Sequence, residues 1–159
     1  MNIGDFIEKG SFTLKSGEKS DTYVNLKNIV SYPQFHKEVC DKISKIIKKE
    51  CKHICGTPYG AIPMASYISI NNNIPMLLLR KEIKKHGTGK ILEGKWEKGD
   101  SVVLIEDVIT SGTSVINAAQ LLEDMGLKVI QIIVVLSRNQ ENLKYKDIPI
   151  TCIYNLHSL

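Results

Sequence analysis

One stretch of the sequence, residues 102–136, constrains the fold more than any other. It begins with four consecutive apolar residues, Val102–Ile105, a pattern typical of a strand covered on both faces. A loop of hydroxyl residues follows, and residues 115–125 then repeat apolar side chains at helical spacing. Residues 129–136 form a second apolar run. This order predicts an α/β fold with a mostly parallel sheet flanked by helices, which binds ligands at the carboxyl ends of its strands.

The preceding segments also alternate between helices and strands. Apolar spacing predicts a helix over 33–50, with Ser31 as its N-terminal cap. Short strands are predicted at 54–56 and 76–79, with a helix over 62–70 between them. The chain has 159 residues without repeats or linkers, so we expect a single domain.

The composition is that of an ordinary globular protein, with 43% hydrophobic and 24% charged residues. The net charge of +4 says little, but basic residues cluster between Arg80 and Lys90. Such a run can be a solvated face, a nucleic-acid patch or a clamp for phosphates. A nucleic-acid binder is disfavoured because the run lacks interleaved aromatic residues.

The four cysteines and the N-terminal residues favour the cytoplasm. The sequence begins without a signal-peptide pattern, and no apolar run approaches the length of a membrane span. Free thiols in a reducing compartment are therefore expected. Cys51 and Cys55, with His53 between them, could suggest zinc, but no second ligand pair follows, which favours buried structural thiols.

Two acids, Glu106 and Asp107, follow the first apolar run and precede a loop rich in serine, threonine and glycine at 110–114. Loop N–H groups and a helix N-terminus suit a phosphate, whereas two acids would repel a bare polyphosphate. The acids make sense beside ribose hydroxyls or a sugar-bound metal, so a sugar phosphate is the predicted ligand. The alternative for the acids is a solvated strand end. The P-loop and dinucleotide fingerprints are both absent.

Residues 102–114 resemble the phosphoribosyl-pyrophosphate (PRPP) motif of type I phosphoribosyltransferases. Three further segments resemble orotate phosphoribosyltransferases. Residues 12–20, followed by Tyr23, resemble the N-terminal signature, residues 56–63 the second segment, and residues 80–87 the catalytic loop. The version is similar to the orotate domain of bifunctional UMP synthases.

The resemblance implies a type I phosphoribosyltransferase fold with a reduced N-terminal hood at 1–30 and a core at 31–159 of the single domain 1–159. It implies transfer of ribose 5-phosphate from PRPP to orotate in pyrimidine biosynthesis, with Mg2+ held mainly by PRPP and water. It also implies a homodimer in which loop 80–90 reaches the neighbouring site. Nucleic acid and membranes are not expected partners.

Individual roles follow from the same resemblance. The residues with implied catalytic roles are Lys81, Lys84, His86 and Asp107. The residues implied in PRPP binding are Lys15, Tyr59, Arg80, Lys81, Lys84, His86, Glu106, Asp107, Val108, Ile109, Thr110, Ser111, Gly112, Thr113 and Ser114. The residues implied in orotate binding are Lys15, Thr110 and Arg138.

The sequence departs from the family pattern at two positions. Position 60 is glycine where bacterial relatives often carry lysine, and position 137 is serine where aspartate usually precedes the arginine. Two alternatives are a phosphoribosyltransferase for another base and a non-catalytic PRPP-binding regulator. The segment at 12–20 and Arg138 favour orotate over another base, and the basic loop favours an enzyme over a regulator.

Overall fold

Helices and strands alternate along most of the chain. A computed structural model describes residues 1–13, 17, 19–82, 90–138 and 142–159. The helices in these ranges are α1 (Pro33–Ser44), α2 (Ile62–Asn72) and α3 (Thr113–Asp124). The strands are β1 (Ile7–Thr13), β2 (Lys19–Val24), β3 (His53–Gly56), β4 (Met76–Leu79), β5 (Leu92–Glu93), β6 (Ser101–Ile109), β7 (Lys128–Ser137), β8 (Lys144–Tyr145) and β9 (Ile148–Asn155). None of the described helices is long and apolar enough to cross a membrane.

Seven of the described strands form one sheet, in the order β5-β4-β3-β6-β7-β9-β8. The five inner strands run parallel, and the short strands β5 and β8 pair antiparallel at the two edges. β6 lies at the centre, and its residues Val102–Ile105 are fully buried. The mostly parallel sheet predicted from the sequence is confirmed.

Helices cover both faces of this sheet because β6 buries alternate side chains on each face. Val103 and Ile105 pack in a core shared with α1 and α2. Val102 and Leu104 pack in a second core, shared with α3. The predicted arrangement of helices on both faces is therefore confirmed. The carboxyl end of β6 lies at the end of the sheet where the parallel strands finish.

The N-terminal hairpin, β1 and β2, forms a separate two-stranded antiparallel sheet. A 3-10 helix at Leu26–Ser31 connects it to α1, and buries Leu26 and Ile29. At the base of the hairpin the Phe6 and Phe35 rings stack with centroids 5.7 Å apart. These apolar contacts attach the hairpin, which is the reduced hood of the predicted fold, to the core. The assignment of hood and core to a single domain stays a prediction.

Helix α1 begins at Pro33, as the sequence predicts, but it ends at Ser44 rather than at residue 50. Its N-terminal cap is Tyr32 and not Ser31, because the residue before a proline is disfavoured in the helical region. Its C-terminal end is set by Gln131 of β7. That side chain donates to the carbonyl of Ile46 at 2.8 Å and accepts from the N–H of Lys48 at 3.0 Å. Backbone groups that would continue the helix are bonded to the sheet instead.

Strand β6 is longer than its apolar run, and it continues to Ile109. The ladder with β7 extends to the pairs Val108–Leu136 and Ile109–Ser137. The two acids are therefore the sixth and seventh residues of the strand and do not lie in the loop after it. The hairpin, the edge strands β5 and β8, and the inner strand β9 were not predicted.

A polar cluster around Asp100 lies at the opposite end of the sheet, where the parallel strands begin. Its carboxylate accepts from Lys52 Nζ at 2.8 Å, from the N–H of Glu97 at 2.9 Å, and lies 3.0 Å from Nε2 of His53. Hydrogen bonds from Lys52, Glu97 and His53 hold the pKa of Asp100 well below its ordinary value. The carboxylate ties the start of β6 to the start of β3.

We expect Asp100→Asn to lower the melting temperature at pH 7, by an amount that shrinks below pH 4. A carboxyl with a depressed pKa stabilises the fold above its unfolded-state pKa of about 4 and loses that contribution as pH falls through its folded value. Thermal unfolding from pH 3 to pH 8 measures the difference. Asp41→Asn is the matched control, because Asp41 forms an exposed ion pair with Lys37 at 2.6 Å. Equal losses in both variants at every pH would contradict the expectation.

Candidate active site

The carboxyl end of β6 places two acids in a nearly buried position. Glu106 is 6% exposed and Asp107 8% exposed. An oxygen of Glu106 accepts hydrogen bonds from the Thr57 hydroxyl and from the N–H of Asp107. An oxygen of Asp107 accepts from the N–H of Val108 at 2.9 Å. The acids are held by their own strand and by the turn after β3, so the alternative of a solvated strand end is wrong.

Burial controls the charge of this pair. Burial and the neighbouring Asp107 together raise the pKa of Glu106 to about 8, against a lowering by the Thr57 hydroxyl. Glu106 is therefore mostly protonated at neutral pH.

The loop after β6 lines a cavity of about 590 Å³. Its lining residues are Val108, Ile109, Thr110, Ser111, Gly112, Thr113, Ser114 and Asn117. Gly112 caps α3 with φ +79°, a left-handed conformation that favours glycine. The hydroxyls of Ser111 and Thr113 lie 3.0 Å apart, at the first turn of the helix. The predicted phosphate loop is thus brought together around one opening, at a helix N-terminus.

Tyr59 and Gly60 lie in the turn beside the acid pair. The Tyr59 side chain is 63% exposed, and Nζ of Lys81 lies 5.8 Å from its ring centroid. A Cβ atom added to Gly60 would lie 1.9 Å from Oδ2 of Asp107. The carboxylate thus fills the space where a side chain at position 60 would begin.

Arg80 and Lys81 follow β4 on the same side of the sheet, but Arg80 is engaged elsewhere. Its guanidinium forms an ion pair with Glu93 of β5 at 3.1 Å, and its N–H donates to the carbonyl of Ile91. The predicted site residues Lys15, Lys84 and His86 lie outside the described residues.

Arg138 directly follows β7, and its N–H donates to the carbonyl of Ile109 at 2.9 Å. Its Nη2 donates to the Ser20 hydroxyl at 2.8 Å and to the carbonyl of Thr22 at 3.1 Å. Both partners belong to strand β2 of the hood. The guanidinium is therefore oriented by the hairpin, in a chain that has Ser137 in place of the usual aspartate.

Three residues at the site were not predicted: Thr57, Asn117 and Lys27. The Thr57 hydroxyl reaches Glu106 because β3 and β6 are parallel neighbours, and its place in the matched segment 56–63 was the available signal. Lys27 lies with Nζ 3.8 Å from Oδ2 of Asp107, across 80 positions of sequence. No pattern in the sequence pairs these two residues.

Comparison with known proteins defines the class to which this fold and site belong. Residues 25–156 match the model of the phosphoribosyl transferase domain. The solved structure of orotate phosphoribosyltransferase from Aeropyrum pernix superposes with a TM-score of 0.83 at 24% identity, over 97% of this chain and 90% of that one, which supports the fold. This is a type I phosphoribosyltransferase fold with its PRPP motif at the expected strand end.

Sequence similarity narrows the family further. Orotate phosphoribosyltransferase from Pyrococcus horikoshii is 37% identical over 94% of this chain and 86% of its own length. The structure of Leishmania donovani UMP synthase is 31% identical with a TM-score of 0.81, over 98% of this chain and 34% of that one. The chain belongs to the orotate phosphoribosyltransferase family. The predicted resemblance to the family and to UMP synthase is confirmed.

We expect Glu106→Gln to be more stable than the wild type at pH 9, and closer to it at pH 5. The raised pKa means that the folded wild type loses stability as pH rises from about 4.5 through about 8, because ionisation of the buried carboxyl is disfavoured. Glutamine keeps an oxygen that can accept from Thr57 but never ionises. The difference at pH 9 should be on the order of a few kcal/mol.

Thermal unfolding midpoints from pH 5 to pH 9 measure this difference. Glu38→Gln is the control, because Glu38 is an exposed glutamate on α1. A difference that does not grow between pH 5 and pH 9 would show that Glu106 is ionised throughout.

Proposed function

We propose that this protein transfers the ribose 5-phosphate group of PRPP to N1 of orotate, giving orotidine 5′-monophosphate and pyrophosphate. One observation carries the proposal: the buried pair Glu106 and Asp107 adjoins the hydroxyl-lined cavity at the start of α3. The carboxyl end of β6 therefore carries groups that suit binding of ribose hydroxyls beside groups that suit binding of a phosphate. The relative from Pyrococcus horikoshii is named orotate phosphoribosyltransferase, after this activity.

The 5-phosphate is assigned to residues 108–114. Backbone N–H groups at the helix start and the surrounding hydroxyls suit a phosphate dianion. Glu106 and Asp107 are assigned to the ribose hydroxyls. A protonated Glu106 carries no charge, which lowers the repulsion between this site and an anionic donor.

The pyrophosphate is assigned to the basic segment that follows β4. Arg80 and Lys81 begin this segment, and Lys84 and His86 complete it, with Tyr59 beside them. Cations at this position stabilise the charge that builds on pyrophosphate as its bond to the sugar breaks. Arg80 would have to exchange Glu93 for the ligand, and the ion pair that it gives up is only partly buried.

Mg2+ can bind at the carboxyl end of β6 without a dedicated set of protein ligands. Within the described ranges, no group of three or more histidine, cysteine, aspartate or glutamate side chains could hold a metal together. Mg2+ commonly keeps several waters and binds substrate phosphates, so we assign it to the oxygens of PRPP and to water, near Asp107. When bound, the ion neutralises charge on the leaving group.

Orotate is assigned to the neighbouring strand end. The planar fork of Arg138 matches a carboxylate, and Thr110 follows Ile109, the residue to which the Arg138 backbone is bonded. Lys15 completes this proposed set. N1 of orotate attacks the anomeric carbon as pyrophosphate departs, through a transition state with oxocarbenium character. No side chain forms a covalent bond in this scheme, so positioning and electrostatics supply the catalysis.

We place the reaction in the cytoplasm, within pyrimidine nucleotide synthesis. The described cysteines Cys40, Cys51, Cys55 and Cys152 are all free, in keeping with a reducing compartment. We further propose a homodimer in which loop 80–90 reaches the site of the neighbouring subunit. PRPP and orotate, rather than nucleic acid or a membrane, are the proposed partners.

Purified protein should deplete orotate only when PRPP and Mg2+ are both present, and Asp107→Asn should lower kcat/KM by about 100-fold or more, since it removes a charge beside the reacting sugar. Ultraviolet absorbance of orotate measures the reaction. Asp124→Asn, on the exposed end of α3, is the matched control and should be unaffected. Wild-type protein that binds PRPP but leaves orotate intact would indicate another base or a PRPP-binding regulator.

Two inactive variants should restore activity when mixed, if the loop serves the neighbouring subunit. Refolding Lys84→Ala with Asp107→Asn gives hybrid dimers in which one of the two sites has both native residues. Random pairing then predicts about a quarter of wild-type activity. A mixture of Arg138→Ala with Asp107→Asn should recover none, because both residues serve the same subunit's site. Hybrids detected by native mass spectrometry but lacking activity would contradict the shared site.

A further inference from the structure

Lys27 is a cation at the site to which no role has been assigned. Its Nζ lies 3.8 Å from Oδ2 of Asp107, and its side chain is 60% exposed while that of Asp107 is 11% exposed. In the part of the chain that the structure describes, no other basic side chain forms an ion pair with Glu106 or Asp107. The 3-10 helix that carries Lys27 is fixed by the buried side chains of Leu26 and Ile29.

A set of neighbouring residues, Asp107, Gly60 and Tyr59, connects Lys27 to Lys81, which is assigned to pyrophosphate. Gly60 packs against Asp107 so closely that an added Cβ would lie 1.9 Å from Oδ2. No side chain can therefore extend over the carboxylate from that position. Next to Gly60, the exposed ring of Tyr59 faces Nζ of Lys81. Lys81 and Lys27 thus lie at the two ends of this set, with the turn and the carboxylate between them.

The ion pair of Lys27 with Asp107 can be exchanged for a ligand. The ammonium group is exposed on a flexible four-carbon stem, and at 3.8 Å from the carboxylate oxygen it lies beyond hydrogen-bond distance. When ribose hydroxyls occupy the Asp107 carboxylate, the ammonium can turn to an anion on the same sugar. Because the 5-phosphate is assigned to residues 108–114, the anion that remains for Lys27 on this side is the pyrophosphate.

We propose that Lys27 binds the pyrophosphate group of PRPP. In the free protein its ammonium group neutralises Asp107, and in the complex it donates a charge-assisted hydrogen bond to a pyrophosphate oxygen. This inference rests on the proposed function, since it requires that PRPP is the donor. It adds a cation from the hood side of the site to those that follow β4.

Calorimetric titration of Lys27→Met with three ligands separates this role from a structural one. PRPP and pyrophosphate, each with Mg2+, should bind about tenfold more weakly than to the wild type, as expected for loss of a hydrogen bond between charged groups. Ribose 5-phosphate, which lacks the pyrophosphate, should bind with unchanged affinity. Lys27→Arg should retain most of the affinity for PRPP.

Lys37→Met is the matched control, because Lys37 is an exposed lysine paired with Asp41 on α1. It should leave all three affinities unchanged. Unaltered binding of PRPP by Lys27→Met would overturn the inference, as would equal weakening of all three ligands, which would mean that Lys27 only adjusts Asp107. A wild type that binds neither PRPP nor ribose 5-phosphate would overturn the proposed function itself.

Discussion

The parallel pairing of β6 with β3 is the interaction on which the site depends. It sets Gly56 beside Ile105, and the N–H of Thr57 donates to the Ile105 carbonyl at 2.9 Å. The Thr57 hydroxyl then meets Glu106 one residue further along β6. A Cβ on Gly56 would lie 2.5 Å from the Ala61 carbonyl oxygen, so only glycine lets the following turn fold back so closely. Strand register thus positions the turn and the acids together.

Placing two acids inside the strand has a cost and a use. Desolvation disfavours the charged form of Glu106, so this side chain stays neutral at pH values where an exposed glutamate is ionised. The same exclusion of water strengthens hydrogen bonds to a ligand in the site. Cation partners come from outside this core: Lys27 from the hood side, and Arg80 and Lys81 from the edge after β4. Two buried acids with basic side chains around them suit a sugar that carries phosphates at both ends.

The sequence predicted the elements whose signal is local and missed those that depend on distant partners. The apolar run of β6 and the helical spacing of α3 were sufficient, because each element buries its own pattern. The end of α1 could not be predicted, since the chain just after the helix is bonded to Gln131, 85 positions beyond the Ile46 carbonyl that accepts from it. The hairpin was missed because most of its residues are polar and exposed. At the site, the hydroxyl residues and the acids were predicted from sequence motifs. The contact of Lys27 with Asp107 could be recognised only from the folded structure.

The hood is attached to the core in two chemically different ways. At its base, Phe6 packs on Phe35 in an apolar contact that does not depend on any ligand. Near the site it meets the core through polar groups: Arg138 donates to Ser20 and the Thr22 carbonyl, and Lys27, just after β2, approaches Asp107. Apolar packing fixes where the hairpin begins, and polar contacts fix how it lies over the strand ends. Because Arg138 and Asp107 are also the groups assigned to orotate and to ribose, the proposed function implies that substrates compete for the same contacts that orient the hood. On that proposal, substrate binding and the position of the hairpin are coupled through two side chains.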